Sequence, residues 1–176
     1  MTLTSPRRGV FPGSFNPLTV AHLEVAEQAR RKHQLDVVDL VVSVVALDKP
    51  TPPGPSFVER IALLNADASE HDWLSVKTTE KKLIADIADG YDVVIMGADK
   101  WIQVNESHYY DSVAARDAAL KRLPKVVVAK RSGLDIVGAE VLDTDEAVHD
   151  VSSTQARSGD RDMMAPRAAE GWFDDA

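Results

Sequence analysis

Short apolar runs alternate along this chain with longer stretches in which apolar residues recur at helical spacing. The apolar runs are rich in β-branched residues, as buried strands are, and they predict strands at residues 8–12, 38–47, 74–77, 91–97, 125–130 and 139–142. The amphipathic stretches predict helices at residues 20–33, 56–69, 79–89 and 111–122, with a last helix that begins at residue 152. This alternation predicts a single α/β domain with a Rossmann-like, doubly wound parallel sheet and helices on both of its faces.

Local signals mark where several of these elements begin and end. Ser56 and Glu59 have the spacing of a capping box at a helix start, and Ser152 and Gln155 repeat that spacing before the last helix. The proline-rich residues 49–55 can continue neither a helix nor a strand and predict a loop. The periodic pattern fades after residue 159. We therefore expect a folded core at about residues 8–160 and a tail, residues 161–176, that is either frayed or used in assembly.

Composition narrows the class of protein. The 176 residues, 44% hydrophobic and 27% charged, are typical of one globular domain with a substantial core. The net charge of −8 argues against a nucleic-acid-binding surface, and no apolar stretch approaches the roughly 18 residues of a transmembrane helix. The chain has no cysteine and its first residues lack the apolar core of a signal peptide, so we expect a cytoplasmic protein. A homo-oligomer is compatible with these features.

Residues suited to anion binding follow the first predicted strand. Ligands of parallel sheets bind beyond the carboxyl ends of the strands, where Gly13 would let the backbone approach an anion and Ser14 could donate a hydrogen bond. Thr19 and His22 lie three residues apart on one face of the first helical turn. A protonated or hydrogen-bond-donating imidazole there could stabilise charge on a phosphoryl group. The structural alternative is a glycine turn followed by a helix with a partly buried histidine.

Two segments of the chain resemble the signatures of the nucleotidyltransferase superfamily. Residues 12–22, Pro-Gly-Ser-Phe-Asn-Pro-Leu-Thr-Val-Ala-His, resemble its (H/T)xGH motif, and residues 151–157, Val-Ser-Ser-Thr-Gln-Ala-Arg, resemble its ISSTxxR motif. Residues 95–101, Ile-Met-Gly-Ala-Asp-Lys-Trp, and residues 56–66 resemble segments of the nicotinate and nicotinamide mononucleotide adenylyltransferases. The threonine at position 19 is instead the form found in phosphopantetheine adenylyltransferases.

The resemblance implies an enzyme that transfers AMP from ATP, with Mg²⁺, to a phosphorylated acceptor. A pyridine mononucleotide is the favoured acceptor, and phosphopantetheine is the alternative. The implied catalytic residues are His22, Thr19 and Arg157. The residues implied in binding the adenine nucleotide are Gly13, Ser14, Phe15, Gly97, Asp99, Ser152, Ser153 and Thr154, and those implied in binding the acceptor are Lys49 and Trp101. The scattered histidines do not have the spacing of a metal site, and few carboxylates lie near these loops, so Mg²⁺ would be held largely by phosphate oxygens and water.

Several of these residues also have a purely structural interpretation. On that interpretation, Ser152 and Thr154 cap a helix, Arg157 and Lys49 are solvated charges, Asp99 is the N-cap of a turn at residues 100–104, and Trp101 is a core or lid aromatic. The chain also departs from the superfamily motif, with Asn16 where Asp is common and Ala21 where Gly is usual. A catalytically silent nucleotide-binding module is therefore a third hypothesis beside the two adenylyltransferases.

Overall fold

A parallel β-sheet organises residues 5–45 and 54–172, which are the residues that the computed structural model describes. Within these ranges the chain forms six strands: β1 (Arg8–Pro12), β2 (Val37–Ser43), β3 (Leu74–Thr79), β4 (Val93–Gly97), β5 (Lys125–Ala129) and β6 (Glu140–Leu142). Every pair of neighbouring strands is parallel, and the order across the sheet is β3-β2-β1-β4-β5-β6. The predicted Rossmann-like sheet is thus confirmed. Its order reverses between β1 and β4, where ligands of such sheets bind.

Helices connect the strands and cover both faces of the sheet. The same ranges contain seven α-helices: α1 (Val20–His33), α2 (Phe57–Ala68), α3 (Ile84–Ile87), α4 (Ala98–Asn105), α5 (Val113–Arg122), α6 (Ser153–Arg157) and α7 (Pro166–Gly171). The predicted capping box opens α2, where the Ser56 hydroxyl accepts the backbone N–H of Glu59 and the Glu59 carboxylate accepts that of Ser56. No helix in the described part of the chain combines the length and the apolar composition needed to cross a lipid bilayer.

The two faces of the sheet carry separate hydrophobic clusters because successive side chains of a strand point to opposite sides. Leu40 and Ile95 lie on the first face, together with residues of α1, α2, α6 and α7. Val41 and Met96 lie on the second face, together with residues of α3 and α4. Helices α1 and α2 therefore share one face, and both begin at the carboxyl edge of the sheet.

A buried carboxylate interrupts the second face near the amino-terminal end of β2. Asp39 is 1% exposed and accepts hydrogen bonds from Arg8 at 2.5 Å, Lys77 at 2.7 Å, the Tyr91 hydroxyl at 2.7 Å and the Ser75 hydroxyl. Burial by itself raises the pKa of Asp39, but the hydrogen bonds from Lys77, Ser75 and Tyr91 outweigh it and hold that pKa below its usual value. The group links β1, β2 and β3 at the edge opposite the candidate site. Sequence reasoning did not single it out.

Two predicted elements differ from the structure by more than one or two residues at an end. Strand β2 ends at Ser43, whereas the sequence predicts an extended segment over residues 38–47. At this end of the strand the Ser43 hydroxyl donates to the carbonyl of Lys81 at 3.0 Å. Residues 46–47 lie outside the described residues. Helix 79–89 is reduced to the single turn of α3. Thr79 instead continues β3 beside Ser43, and its hydroxyl accepts the N–H of Lys81 at 3.2 Å. Sheet pairing therefore overrides the local helical pattern.

The segment after α6 is packed against the core, at least as far as residue 172. The N–H of Ala165 donates to the carbonyl of Leu18 at 2.9 Å, and Trp172 is 6% exposed in the first cluster. The Asp67 carboxylate of α2 accepts the N–H of Ala168 at the start of α7. Residues 161–172 are therefore not frayed, because tertiary contacts supply the order that the local pattern lacks, and a role of the tail in assembly stays a prediction. Residues 173–176 lie outside the described residues.

Candidate active site

The loop after β1 places Thr19 and His22 in a closed set of hydrogen bonds. The backbone N–H of Thr19 donates to His22 Nδ1 at 3.0 Å, and the backbone N–H of His22 donates to Thr19 Oγ1 at 3.3 Å. Thr19 Oγ1 also lies 2.8 Å from Nδ1. This is a capping box in which histidine takes the place usually held by Glu or Gln. A backbone N–H can only donate, so Nδ1 is an acceptor and the proton of the neutral ring lies on Nε2.

Aromatic rings surround the His22 imidazole. The ring of Phe15 contacts it edge-on at 5.1 Å between centroids, and the ring of Phe11 does so at 5.9 Å. Burial lowers the pKa of His22 from 6.5 to about 4. The imidazole is therefore neutral at pH 7 in the free protein, and of the two forms considered from the sequence the structure favours the hydrogen-bond donor. Sequence reasoning missed Phe11, although its place at the end of an apolar strand next to the loop was a usable signal.

Gly13 and Phe15 shape the loop itself. The N–H of Gly13 donates to the carbonyl of Val41 at 3.1 Å, and a Cβ added to Gly13 would lie 2.8 Å from the Phe15 ring. Phe15 is 2% exposed and has a φ of 43°, a left-handed conformation that is uncommon for a bulky residue. These contacts account for the glycine at position 13 and seat the Phe15 ring beside His22. Ser14, between them, is exposed.

The second predicted signature opens α6, and its capping box is only half formed. Ser152 Oγ accepts the N–H of Gln155 at 3.2 Å, but the Gln155 side chain bonds the Ser152 hydroxyl rather than its backbone. Helix α6 spans only five residues. Fixed positive charge near this loop therefore comes mainly from the Arg157 side chain and little from a helix dipole.

Two side chains of α6 join it to the loop after β1. Ser153 Oγ donates to the carbonyl of Pro17 at 2.8 Å, and the Arg157 guanidinium donates to the carbonyl of Asn16. A second guanidinium nitrogen of Arg157 lies 3.3 Å from the hydroxyl of Thr154. The structure thus brings into contact two segments that are more than 130 residues apart in the sequence.

The end of β4 borders open space. Gly97 is the N-cap of α4, and a Cβ added there would have no heavy atom within 4 Å. Asp99 is exposed in the first turn of α4, where its carboxylate pairs with the Arg131 guanidinium. Because Gly97 is the N-cap, the alternative role of Asp99 as a cap is wrong. Sequence reasoning missed Arg131, which follows the end of β5 and could have been found as a charge at a strand end.

The structure locates one of the two residues predicted to bind an acceptor. Trp101 is 8% exposed in the second hydrophobic cluster, and its Nε1–H donates to the carbonyl of Val137 at 2.9 Å. This is a core position, and stacking of Trp101 on a ligand ring stays a prediction. Lys49 lies outside the described residues.

The fold and the geometry at the switch point define a Rossmann-like α/β protein with a candidate phosphate site between β1 and β4. The chain belongs to the cytidylyltransferase-like family, whose family model matches residues 10–159. This match contains both the Thr19–His22 turn and the α6 segment.

The relatives of this chain are named for two different acceptors. The chain is 28% identical, over 77% of its length, to a probable nicotinate-nucleotide adenylyltransferase of Geobacter sp. (strain M21), and 29% identical, over 64%, to a phosphopantetheine adenylyltransferase of Nitratidesulfovibrio vulgaris (strain DP4). It spans 66% and 57% of the lengths of these two relatives, less than two thirds in each case. A solved structure of Plasmodium falciparum nicotinic acid mononucleotide adenylyltransferase, complexed with NaAD, has the same fold with a TM-score of 0.65. That match is 13% identical in sequence and covers 88% of this chain and 83% of the other.

Proposed function

We propose that this protein is an adenylyltransferase that moves AMP from ATP to the phosphate of a pyridine mononucleotide, giving a dinucleotide and pyrophosphate. The observation that carries the proposal is the His22 imidazole, which is neutral, held through Nδ1 by Thr19, and left with Nε2–H as its donor. Arg157 adds a guanidinium bonded to the same loop at Asn16. A donor and a cation at the switch point of a parallel sheet are suited to the phosphates of a nucleotide.

The proposed reaction is a direct in-line displacement. A phosphate oxygen of the acceptor forms a bond to the α-phosphorus of ATP, while the bond from that phosphorus to the oxygen bridging to the β-phosphate breaks. The electron pair leaves with pyrophosphate, and no covalent intermediate on the protein is required. Such transfers depend on positioning and on electrostatic stabilisation rather than on a protein nucleophile. This demand matches a site built from a neutral donor and a cation.

We assign the residues distinct roles in this reaction. His22 Nε2–H would donate to a non-bridging oxygen of the α-phosphate as negative charge develops there. Thr19 is 0% exposed with its hydroxyl bonded to His22, which supports a positioning role rather than direct contact with phosphate. Arg157 would neutralise the departing pyrophosphate.

The other residues predicted to bind the nucleotide have supporting roles in the proposal. Gly97 would leave room for the ribose and adenine, and Asp99 would border the same space. Exposed Ser14 could reach a phosphate, as could Thr154. Ser152 and Ser153, with Gly13 and Phe15, would hold the loops that form the site. Each of these roles is part of the proposal.

The names of the relatives support the identity of the acceptor. The Geobacter relative is named for nicotinate nucleotide, and the Plasmodium structure is named as a nicotinic acid mononucleotide enzyme. Lys49 and Trp101 are the proposed contacts to this acceptor. The second candidate is transfer to phosphopantetheine, which is supported by the name of the Nitratidesulfovibrio relative and by the threonine at position 19.

We treat Mg²⁺ as part of the ATP substrate, held by phosphate oxygens and water. The described residues contain no group of three or more His, Cys, Asp or Glu side chains that could hold a metal ion. No step of the proposed reaction is assigned to a metal held by the protein.

Pyrophosphate release tests the proposal. The protein is offered MgATP with nicotinate mononucleotide, nicotinamide mononucleotide or phosphopantetheine in turn. We expect release with one of the pyridine mononucleotides, whereas release with phosphopantetheine alone would favour the second candidate. His22→Gln should lower kcat by roughly 100- to 1,000-fold, because it removes a donor to the transition state. Binding of ATP without release from any acceptor would instead indicate the third hypothesis, a silent nucleotide-binding module.

A further inference from the structure

An arginine stands on the core-facing side of α2 where the helix begins. Arg60 precedes Leu64 by one helical turn, and Leu64 is 1% exposed in the first hydrophobic cluster. The N–H of Arg60 donates to the carbonyl of Ser56, so the residue lies in the first turn, near the carboxyl edge of the sheet. The helix face that is apolar at Leu64 thus carries a cation one turn earlier, at Arg60.

The charge of Arg60 lacks compensation within residues 5–45 and 54–172. Its Nε is buried and has no hydrogen-bond partner among the described residues. Burial lowers the pKa of Arg60, with no described carboxylate acting against it. The Phe57 ring, 5.3 Å from the guanidinium carbon, is a weaker contact than an ion pair. Arg122, by contrast, pairs with Asp86 at 2.8 Å. A partly buried cation without an anion destabilises the folded protein unless a ligand supplies the anion.

Topology places this cation on the same side of the sheet as His22. Helix α1 contributes Val25 and α2 contributes Leu64 to the same hydrophobic cluster, so both helices cover one face. Both also begin at the carboxyl edge, because each follows a parallel strand. The first turns that carry His22 and Arg60 therefore lie on one face and one edge of the sheet.

The two cations come to this edge from opposite halves of the sheet. Arg60 follows β2, which lies on one side of β1, whereas α6 with Arg157 follows β6, which lies beyond β4 on the other side. An in-line displacement needs the attacking and leaving groups on opposite sides of the phosphorus. Because Arg157 is assigned to the departing pyrophosphate, Arg60, which follows β2, is the cation suited to bind the attacking phosphate of the acceptor.

We propose that Arg60 binds the phosphate of the acceptor and holds it for attack on the α-phosphorus. This inference rests on the proposed adenylyl transfer. The guanidinium can bond two phosphate oxygens at once, which fixes the orientation of the group as well as its charge. The energetic cost of an unpaired arginine in the free protein is then offset on binding.

Steady-state kinetics of Arg60→Gln and Arg60→Lys, with Arg122→Gln as the control, test the assignment. We expect Arg60→Gln to raise the KM of the acceptor about 10- to 100-fold, with the KM of ATP changed less than about twofold. Arg60→Lys should recover part of the loss, and Arg122→Gln should leave both constants unchanged. A rise in the KM of ATP alone, or an unchanged acceptor KM, would overturn the role of Arg60. A wild-type protein that releases no pyrophosphate would instead overturn the adenylyl transfer.

Two further measurements need no turnover. Calorimetric titration with nicotinate mononucleotide and with phosphopantetheine should give weaker binding to Arg60→Gln than to the wild type, and equal binding would contradict the inference. The melting temperature of ligand-free Arg60→Met should equal or exceed that of the wild type, because the variant removes an uncompensated charge. A fall of more than about 4 °C would indicate an internal partner for Arg60 and a structural role.

Discussion

The backbone N–H of Thr19 donates to the Nδ1 atom of His22 at 3.0 Å, while the backbone N–H of His22 donates to the Thr19 hydroxyl at 3.3 Å. Each residue thus satisfies a backbone donor of the other in the first turn of α1. In most capping boxes a Glu or Gln side chain accepts the first of these bonds, the one from the backbone N–H of the N-cap residue. Because a histidine accepts it here, one interaction both begins the helix and sets which imidazole nitrogen carries the proton.

Removing the Thr19 hydroxyl should therefore affect stability and rate together. Thr19→Val keeps the shape of the buried side chain but loses the cap, and we expect it to lower the free energy of unfolding by about 1–2 kcal/mol. The same change should lower kcat by at least about tenfold, because the imidazole is no longer held. Urea denaturation and pyrophosphate release measure the two effects. Thr19→Ser keeps the hydroxyl and serves as the control; a Val variant as active as the Ser variant would contradict the positioning role.

His22 should make the stability of the protein depend on pH. Its folded-state pKa of about 4 lies below the unfolded value of 6.5, so the unfolded chain binds more protons between these values. Stability is fully present above about pH 6.5 and is lost as the pH falls toward 4. At pH 5 the loss relative to pH 7.5 is about 2 kcal/mol.

Urea titrations of the wild type and of His22→Asn at pH 7.5 and pH 5 check this prediction. The burial-lowered pKa of His33 is present in both proteins and cancels in the comparison. The variant should lose about 2 kcal/mol less than the wild type between the two pH values. Equal losses in both proteins would show that His22 does not titrate as a buried group.

The Asp39 group should stabilise the fold without contributing to the site. Asp39→Asn removes the buried charge that Arg8 and Lys77 share, and both cations are exposed enough to turn toward water. We therefore expect a loss of about 2 kcal/mol in the free energy of unfolding and no change in kcat, because the group lies at the opposite edge of the sheet. Asp117→Asn, at an exposed ion pair, is the control and should change stability by less than about 0.5 kcal/mol. A lower kcat for Asp39→Asn in fully folded protein would show coupling to the site.

Trp101 can be tested as a core residue and as a ligand contact in one variant. Trp101→Phe removes the hydrogen bond to the Val137 carbonyl and part of the buried ring, so we expect a loss of about 1–3 kcal/mol in stability. A core residue should leave the acceptor KM within about twofold, whereas loss of a stacking contact should raise it about fivefold or more. Kinetics and denaturation of the same preparation therefore distinguish packing from ring stacking.

Local sequence patterns were enough to predict the class of fold and most of its elements. The capping box at Ser56 and Glu59 formed as predicted, because both partners lie within one helical turn. Helix 79–89 was wrong for the opposite reason: Thr79 joins β3 beside Ser43, a contact that no local window contains. The docking of Trp172 was missed in the same way, since its partners lie on other helices.

The alternation of strands and helices, the parallel α/β class and the two segments that meet at the switch point could all be read from the order of residues along the chain. Those features depend on periodicity and on residue types close together in the chain. The folded chain was needed to show that Thr19 faces His22 rather than solvent, that burial keeps the imidazole neutral, and that Arg157 bonds the loop carbonyl of Asn16. A pKa and a hydrogen-bond partner depend on the distances to surrounding atoms, and those distances are set when remote parts of the chain pack together.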